Sequence, residues 1–158
     1  MQQFTSPSPY MRQISIYLKQ EKYPEAHSLS EKFVNSFPDN MMAHLLLAKS
    51  SFWINDFQNA RDEAKKAYGI AEGTAEVIMA GILLACSHYR LKEYEKGLKL
   101  VRALFEQAPN MEELVSLKFA FAMALSDESE AARSIEILYS IDKKAGRRLL
   151  ESALLGGP

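Results

Sequence analysis

Three short stretches that share one pattern decide the fold: Leu18-Lys-Gln-Glu-Lys-Tyr23-Pro-Glu-Ala26, Phe52-Trp-Ile-Asn-Asp-Phe57-Gln-Asn-Ala60 and Tyr89-Arg-Leu-Lys-Glu-Tyr94-Glu-Lys-Gly97. In each stretch an aromatic residue stands three positions before a small one. The small residues Ala26, Ala60 and Gly97 lie 34 and then 37 residues apart, and Ala131 follows 34 residues later. Self-similarity at a period of about 20–50 residues is typical of solenoid proteins. The sequence therefore predicts a repeat architecture.

A second, independent marker keeps the same register. Pro38 follows Ala26 by 12 residues, and Pro109 follows Gly97 by the same number. Between the markers, apolar residues recur at intervals of three and four, which indicates helices. Asp39 or Asn40 is a candidate N-cap for a helix over residues 41–54, and Asn110 is one for a helix over residues 111–125. These signals predict eight helices in antiparallel pairs, followed by a ninth.

Composition excludes several classes of protein. The 158 residues are 47% hydrophobic and 25% charged, which are ordinary globular values. The formal net charge is −1 and neither half of the chain is polarised, so we expect no nucleic-acid partner. The longest stretch without charge, residues 77–89, is shorter than the roughly 20 residues that span a bilayer, so we expect no membrane insertion. A single cysteine and a polar N-terminus favour a soluble, cytoplasmic protein.

The repeat marks resemble those of the tetratricopeptide repeat family. Matching positions are Tyr10, Tyr17, Ala26 and Pro38 in the first copy, Leu47-Ala48, Ala60 and Ala67 in the second, and Leu84-Ala85 and Pro109 in the third, with a degenerate fourth that keeps Ala131. The resemblance implies an all-α fold, a short right-handed superhelical solenoid of antiparallel helix pairs. We expect one domain over residues 1–158, with repeats at about 7–40, 41–74, 75–110 and 111–142. A capping helix is expected at about 143–155, with basic residues Lys143, Lys144, Arg147 and Arg148 facing solvent.

The residues that could support catalysis or metal binding are few. Cys86 and His88 are two apart on a predicted helix, so their side chains diverge. His44 and His88 fall on the first helices of neighbouring repeats, where packing explains a histidine better than a metal does. A thiol at Cys86 would be buried and would have a raised pKa. We therefore predict a protein without enzymatic activity, cofactor or metal.

The candidate site is the groove that the first helices of this family's repeats usually line with peptide-binding residues. Projecting that pattern onto the second and third repeats gives Met42, Leu45, Lys49, Phe52, Trp53, Met79, Ile82, Cys86, Tyr89 and Arg90. The positions where some family members clamp a terminal carboxylate hold Met11, Ser15, Leu46, Met79 and Leu83 instead, which argues against that type of adaptor. An apolar, methionine-rich surface suits an apolar peptide or helix of a partner protein.

The expected function is therefore a protein–protein interaction module, such as an adaptor or a secretion-type chaperone. Some of the projected residues are also candidates for the core between helices, since first helices bury two faces in such stacks. The alternative function is a self-assembling scaffold whose groove is filled by another copy, giving a homo-oligomer, or by the N-terminal tail that carries Phe4.

Overall fold

The computed structural model describes residues 4–154, and of residues 149–154 it describes the backbone alone. The chain forms two compact units, Met1–Leu91 and Lys92–Pro158, called unit 1 and unit 2 here. The helices of unit 1 are α1 Pro7–Lys19, α2 Tyr23–Ser36, α3 Met41–Trp53, α4 Phe57–Ile70 and α5 Thr74–Arg90. Those of unit 2 are α6 Tyr94–Gln107, α7 Glu112–Ala124, α8 Glu128–Ile141 and α9 Lys143–Leu154. Consecutive helices pack against each other within each unit. The prediction of an all-α fold built from helix pairs is confirmed, whereas the division into one domain with four repeats stays a prediction.

The turn inside each repeat is closed by a residue in the left-handed conformation. These residues are Glu21, Asn55, Lys92 and Ser126, with φ between 57° and 64°. In three of the turns the next amide donates to the carbonyl five residues earlier at 2.9 Å, namely Lys22 to Tyr17, Asp56 to Ser51 and Asp127 to Ala122. This bond satisfies a carbonyl that the end of the helix leaves without a partner. The repeating stretches in the sequence are therefore the turns that start each second helix.

Two of the second helices begin with the same cap. The carboxylate of Asp56 accepts a hydrogen bond from the Asn59 amide at 3.1 Å, and that of Asp127 accepts one from the Glu130 amide at 3.0 Å. Each bond satisfies an amide that would otherwise lack an intrahelical partner. Both caps follow directly after a left-handed residue, so one short turn ends one helix and starts the next.

Of the caps predicted for the first helices, one is present in the structure and one is not. Asn40 caps α3, because its side-chain oxygen accepts a bond from the Ala43 amide at 3.1 Å. Asn110 does not cap α7: that helix begins at Glu112, and Met111 occupies the N-cap position without a side-chain bond. Local sequence gives Asn110 the right residue type, but α7 starts one residue later than the pattern indicated.

Aromatic stacking anchors the beginning of unit 1. The Tyr10 ring of α1 stacks on Phe33 of α2, with centroids 4.9 Å apart and planes 3° apart. Phe4 meets the edge of Tyr10 at 4.8 Å. Ile14 and Ala26 are fully buried in the same cluster. The aromatic contacts and the small residue at position 26 together join α1 to α2.

In unit 2 a glycine makes room for an aromatic ring. Gly97 of α6 faces the ring of Phe121 on α7, and a Cβ atom at position 97 would overlap that ring. Phe121 is fully buried. The approach of α6 to α7 therefore depends on the missing side chain at position 97.

A buried ion pair also joins helices of unit 2. Lys118 Nζ of α7 lies 3.1 Å from Glu130 Oε1 of α8, and Arg102 Nη2 of α6 lies 3.4 Å from Glu130 Oε2. The ammonium group of Lys118 also sits 4.2 Å from the centroid of the Phe105 ring. Burial raises the pKa of Glu130, but the hydrogen bonds and charges of Lys118 and Arg102 outweigh burial, so the pKa lies below its ordinary value.

The predicted C-terminal helix is present as α9, which packs against α8. Lys143, Lys144, Arg147 and Arg148 are exposed, as expected. The predicted helix also contains Leu149, Leu150, Leu154 and Leu155, whose side chains lie outside the part of the chain that the structure describes.

Candidate interaction face on unit 1

The first helices of unit 1 are not fully covered by their neighbours. Helix α3 packs against both α1 and α5, while α2 packs against α1 and α3, and α4 against α3 and α5. Several side chains of α1, α3 and α5 are left exposed or half-buried in this packing. We call the following set of them the first-helix face: Arg12, Ser15, Ile16, Lys19, Met42, Lys49, Phe52, Trp53, Met79, Ile82, Cys86, Tyr89 and Arg90.

Helix α3 contributes a narrow exposed strip. Lys49 and Trp53, one turn apart, are its exposed residues, and Met42 and Phe52 beside them are half-buried. The remaining α3 residues are buried, since neighbouring helices cover them. Trp53 is 49% exposed, which is unusual for so large an apolar side chain.

Trp53 is held in place by aromatic neighbours. Its ring stacks on Tyr23 of α2, with centroids 5.3 Å apart and planes at 10°. Phe52 meets its edge at 6.2 Å. Because these contacts restrict the indole before any ligand arrives, a partner that packs on it loses little side-chain entropy.

The next repeat supports a guanidinium in the equivalent way. Arg90 of α5 lies over the ring of Phe57, with its Cζ atom 4.1 Å from the centroid, and 5.9 Å from that of Phe52. Phe57 holds the position in α4 that Tyr23 holds in α2, 34 residues earlier. In unit 1, the aromatic residue at the start of α2 thus supports Trp53 at the end of α3, and the one at the start of α4 supports Arg90 at the end of α5.

Helix α5 adds the apolar part of the face. Met79 and Tyr89 are exposed, at 45% and 37%. Ile82 and Cys86 are half-buried between them. Burial raises the pKa of the Cys86 thiol despite an opposing backbone hydrogen bond, which agrees with the expectation that this thiol is a poor nucleophile.

One residue projected into the groove is part of the core instead. Leu45 is 5% exposed and clusters with Met41, Ala67 and Ala80, between α3, α4 and α5. Two faces of α3 are covered, and Leu45 points into one of them. The nine other projected residues are exposed or half-buried, and their role in binding a partner stays a prediction. Phe4, which belongs to the N-terminal tail named above as an alternative occupant of the groove, contacts the edge of the Tyr10 ring.

His44 is a packing residue. Its Nδ1 lies 2.6 Å from Glu63 Oε2, and its Nε2 lies 2.7 Å from the Pro38 carbonyl. Both ring nitrogens are therefore engaged, and the side chain ties the loop before α3 to α4. Among the described residues, no three His, Cys, Asp or Glu side chains are grouped closely enough to hold a metal ion.

Sequence reasoning missed two features of the face. Ile16 of α1, 39% exposed, was not among the projected residues. The supporting role of Tyr23 and Phe57 was also missed, although both are the aromatic residues of the repeated stretches. Their spacing to the end of the next first helix could have indicated the contact.

No helix in the described part of the chain is long and apolar enough to cross a membrane.

Comparisons with known proteins show the fold. Residues 83–129 match the family described as Fis1 C-terminal tetratricopeptide repeat. No curated protein matches the chain. Among solved structures, MamA residues 41-end from Desulfovibrio magneticus RS-1 superposes with a TM-score of 0.78 at 13% identity, covering 90% of this chain and 78% of that one.

Two further structures were described together with peptide binding. The first TPR of Spaghetti (RPAP3), bound to the HSP90 peptide SRMEEVD, has a TM-score of 0.70 at 21% identity, covering 76% of this chain and 93% of that one. YrrB, described as a TPR protein with an unusual peptide-binding site, has a TM-score of 0.71 at 17% identity, covering 87% and 70%. The repeat marks, the helix pairs and these comparisons agree on the fold: the chain is built of helix pairs like those of tetratricopeptide repeat proteins, and residues 83–129 match a family of such repeats.

Proposed function

We propose that this protein is an interaction module that holds an apolar segment of a partner protein on the first-helix face of unit 1. The observation that carries the proposal is the exposed indole of Trp53, held by Tyr23 and Phe52. Tryptophan and tyrosine dominate binding energy at interfaces when they are rigid and can be desolvated. Met79 and Tyr89 extend the apolar surface on α5.

The proposal includes no chemistry performed by the protein. His44 is engaged on both nitrogens, and the pKa of Cys86 is raised. An adaptor or a chaperone of the cytoplasm would use such a face in the same way, by covering an apolar segment of another protein. The peptide complex described for RPAP3 and the peptide-binding site described for YrrB support this general class of function.

The test compares two double variants. Trp53→Ala with Tyr89→Ala should weaken partner capture by about thirtyfold or more, since hot-spot residues contribute about 2 kcal/mol or more each. Ile141→Ala with Met123→Ala removes similarly exposed apolar side chains from unit 2 and should leave capture unchanged. Circular dichroism verifies that both variants keep their helices. Equal capture by the two double variants would show that the partner binds elsewhere.

A further inference from the structure

Charge is segregated within unit 1. Residues 1–91 contain nine Lys or Arg and nine Asp or Glu, so the unit is balanced as a whole. Helices α1, α3 and α5, however, contain four basic residues, Arg12, Lys19, Lys49 and Arg90, and one acidic residue, Glu76. The rest of the unit contains five basic and eight acidic residues. The balanced net charge of the sequence conceals a basic first-helix face.

The basic residues of this face are available to a ligand. Arg12, Lys19, Lys49 and Arg90 are all exposed. Within residues 4–148, no carboxylate lies within salt-bridge distance of Arg12, Lys19 or Lys49. The second helices differ, because Lys66 of α4 lies 2.7 Å from Glu63 on its own helix. Lys66 on a second helix is thus partly neutralised within its own helix, while Arg12, Lys19 and Lys49 on the first helices have no such pair within the described part of the chain.

Arg90 is the best positioned of the four. Its Cζ atom lies 4.1 Å from the centroid of the Phe57 ring, so the guanidinium is in cation–π contact with that ring. The N–H donors of a guanidinium point outward from its edge and match the two oxygens of a carboxylate. The contact with the aromatic ring limits the motion of the side chain, and donors on the exposed part of the guanidinium can reach a ligand.

We propose that the partner segment is acidic as well as apolar: Asp or Glu side chains flank an apolar residue that packs on Trp53, and they pair with Lys49 and Arg90. Lys49 precedes Trp53 by one helical turn, so one extended or helical peptide can contact both. This inference rests on the proposed function and specifies the chemistry of the partner. The acidic side chains lie along the partner segment, so basic residues on all three first helices can pair with them.

A peptide selection tests the inference. A display library of random twelve-residue peptides is selected on the whole protein, and the selected peptides are synthesised with a fluorescein label for anisotropy titration. We expect the selected peptides to contain about twice the Asp and Glu of the library, next to Leu, Phe, Met or Trp. The single tryptophan of the chain gives a second readout, because a peptide on Trp53 shifts its emission.

Charge-removing variants inside and outside the first-helix face test whether the basic residues of this face bind the acidic peptide. Lys49→Gln with Arg90→Gln should weaken binding about tenfold, since each exposed ion pair contributes a severalfold effect at most. Lys65→Gln removes an exposed charge from α4 and should change nothing. Arg90→Lys keeps the charge and should retain part of the affinity. Binding by the wild type should also weaken between about 0.01 M and 1 M salt, as the screening length falls from about 30 Å to 3 Å.

The results separate this inference from the proposed function. Peptides that require Trp53 but show neither acidic enrichment nor dependence on Lys49 and Arg90 would overturn the inference alone. Peptides that require none of these residues, or a selection that yields no peptide, would overturn both. Sedimentation of the protein alone tests whether a second copy of the chain occupies the face. Self-association that disappears in the Lys49→Gln, Arg90→Gln variant would show that the acidic partner is a second copy. That result would overturn the inference of a separate peptide.

Discussion

Unit 1 and unit 2 fill the same packing position with side chains of opposite size. In unit 1 the small residue of the second helix is an alanine, Ala26 or Ala60, and the equivalent positions on the first helices that follow hold Ser50 and Ser87, both fully buried. In unit 2 the second helix has Gly97, and the following first helix has Phe121 at the same register. Unit 1 thus has small residues at both matching positions, whereas unit 2 combines a glycine with a ring. The residue at one of these positions is therefore best interpreted together with the residue at the other.

The largest expected effect comes from filling the space beside Phe121. Gly97→Ala should destabilise the protein by about 3 kcal/mol, because overpacking a rigid, fully buried contact displaces the ring or the helix. Gly69→Ala in α4 is the matched control, since a Cβ atom there would have no neighbour within 4 Å. That control should stabilise by about 0.5–1 kcal/mol through helix propensity. Urea denaturation measures both changes.

Measuring Gly97→Ala in proteins with a smaller side chain at position 121 tests the same pairing more directly. In a Phe121→Ser variant, which carries the residue found in unit 1, Gly97→Ala should become neutral or stabilising. If that variant is too unstable for measurement, Phe121→Leu should still reduce the cost. A constant cost of Gly97→Ala in all backgrounds would refute the idea that positions 97 and 121 form a pair.

A smaller effect concerns two charged residues that are buried in unit 2 and that correspond to uncharged residues in the second repeat of unit 1. Lys118 and Glu130 of unit 2 correspond to Leu47 and Asn59 of unit 1. Glu130→Gln should cost about 2 kcal/mol at pH 7, because it weakens hydrogen bonds to charged groups. Glu136→Gln, an exposed change on the same helix, should have little effect.

The cost of Glu130→Gln should depend on pH in one direction. The pKa of Glu130 is lowered from about 4.5 in the folded state, so its stabilising contribution is complete above the unfolded value and is lost as the pH falls through the folded value. The difference between wild type and variant should therefore shrink below pH 4.5 and stay constant above it. Denaturation curves across this range measure the effect, and a difference that grows in acid would contradict the assigned direction.

The smallest effect compares the left-handed turns of the two units. Ser126→Gly in unit 2 should stabilise by about 0.5–1 kcal/mol, since a side chain at φ 58° is strained where glycine is not. Asn55→Gly in unit 1 should change stability less, because asparagine tolerates this conformation. Thermal melts of both variants measure the difference, and a larger gain at position 55 would mean that the turns differ in more than their residue type.

The repeat spacing predicted much of the fold, and physical reasons limit what it predicted of the site. The predicted helices over residues 41–54 and 111–125 agree with α3 and α7 to within one residue at each end, because caps and apolar periodicity are local signals. Leu45 and Met42 are both apolar and both on α3, but the packing of α4 and α5 buries Leu45 and leaves Met42 partly open. Periodicity alone cannot separate the two when a helix is covered on two faces. The net charge of −1 likewise gave no indication that basic residues are concentrated on the first helices of unit 1. That excess appears only when each residue is assigned to its helix.

The pairing of Gly97 with Phe121 makes the repeats of this protein non-interchangeable. A chimera that placed α7 after α4 would bring the ring of Phe121 against the methyl group of Ala60, and one that placed α5 after α6 would leave Ser87 facing an empty volume at Gly97. Helices can therefore be exchanged only together with the neighbour that matches them. The order of the repeats along the chain is thus encoded in the shapes of their interfaces, as well as in their connecting loops.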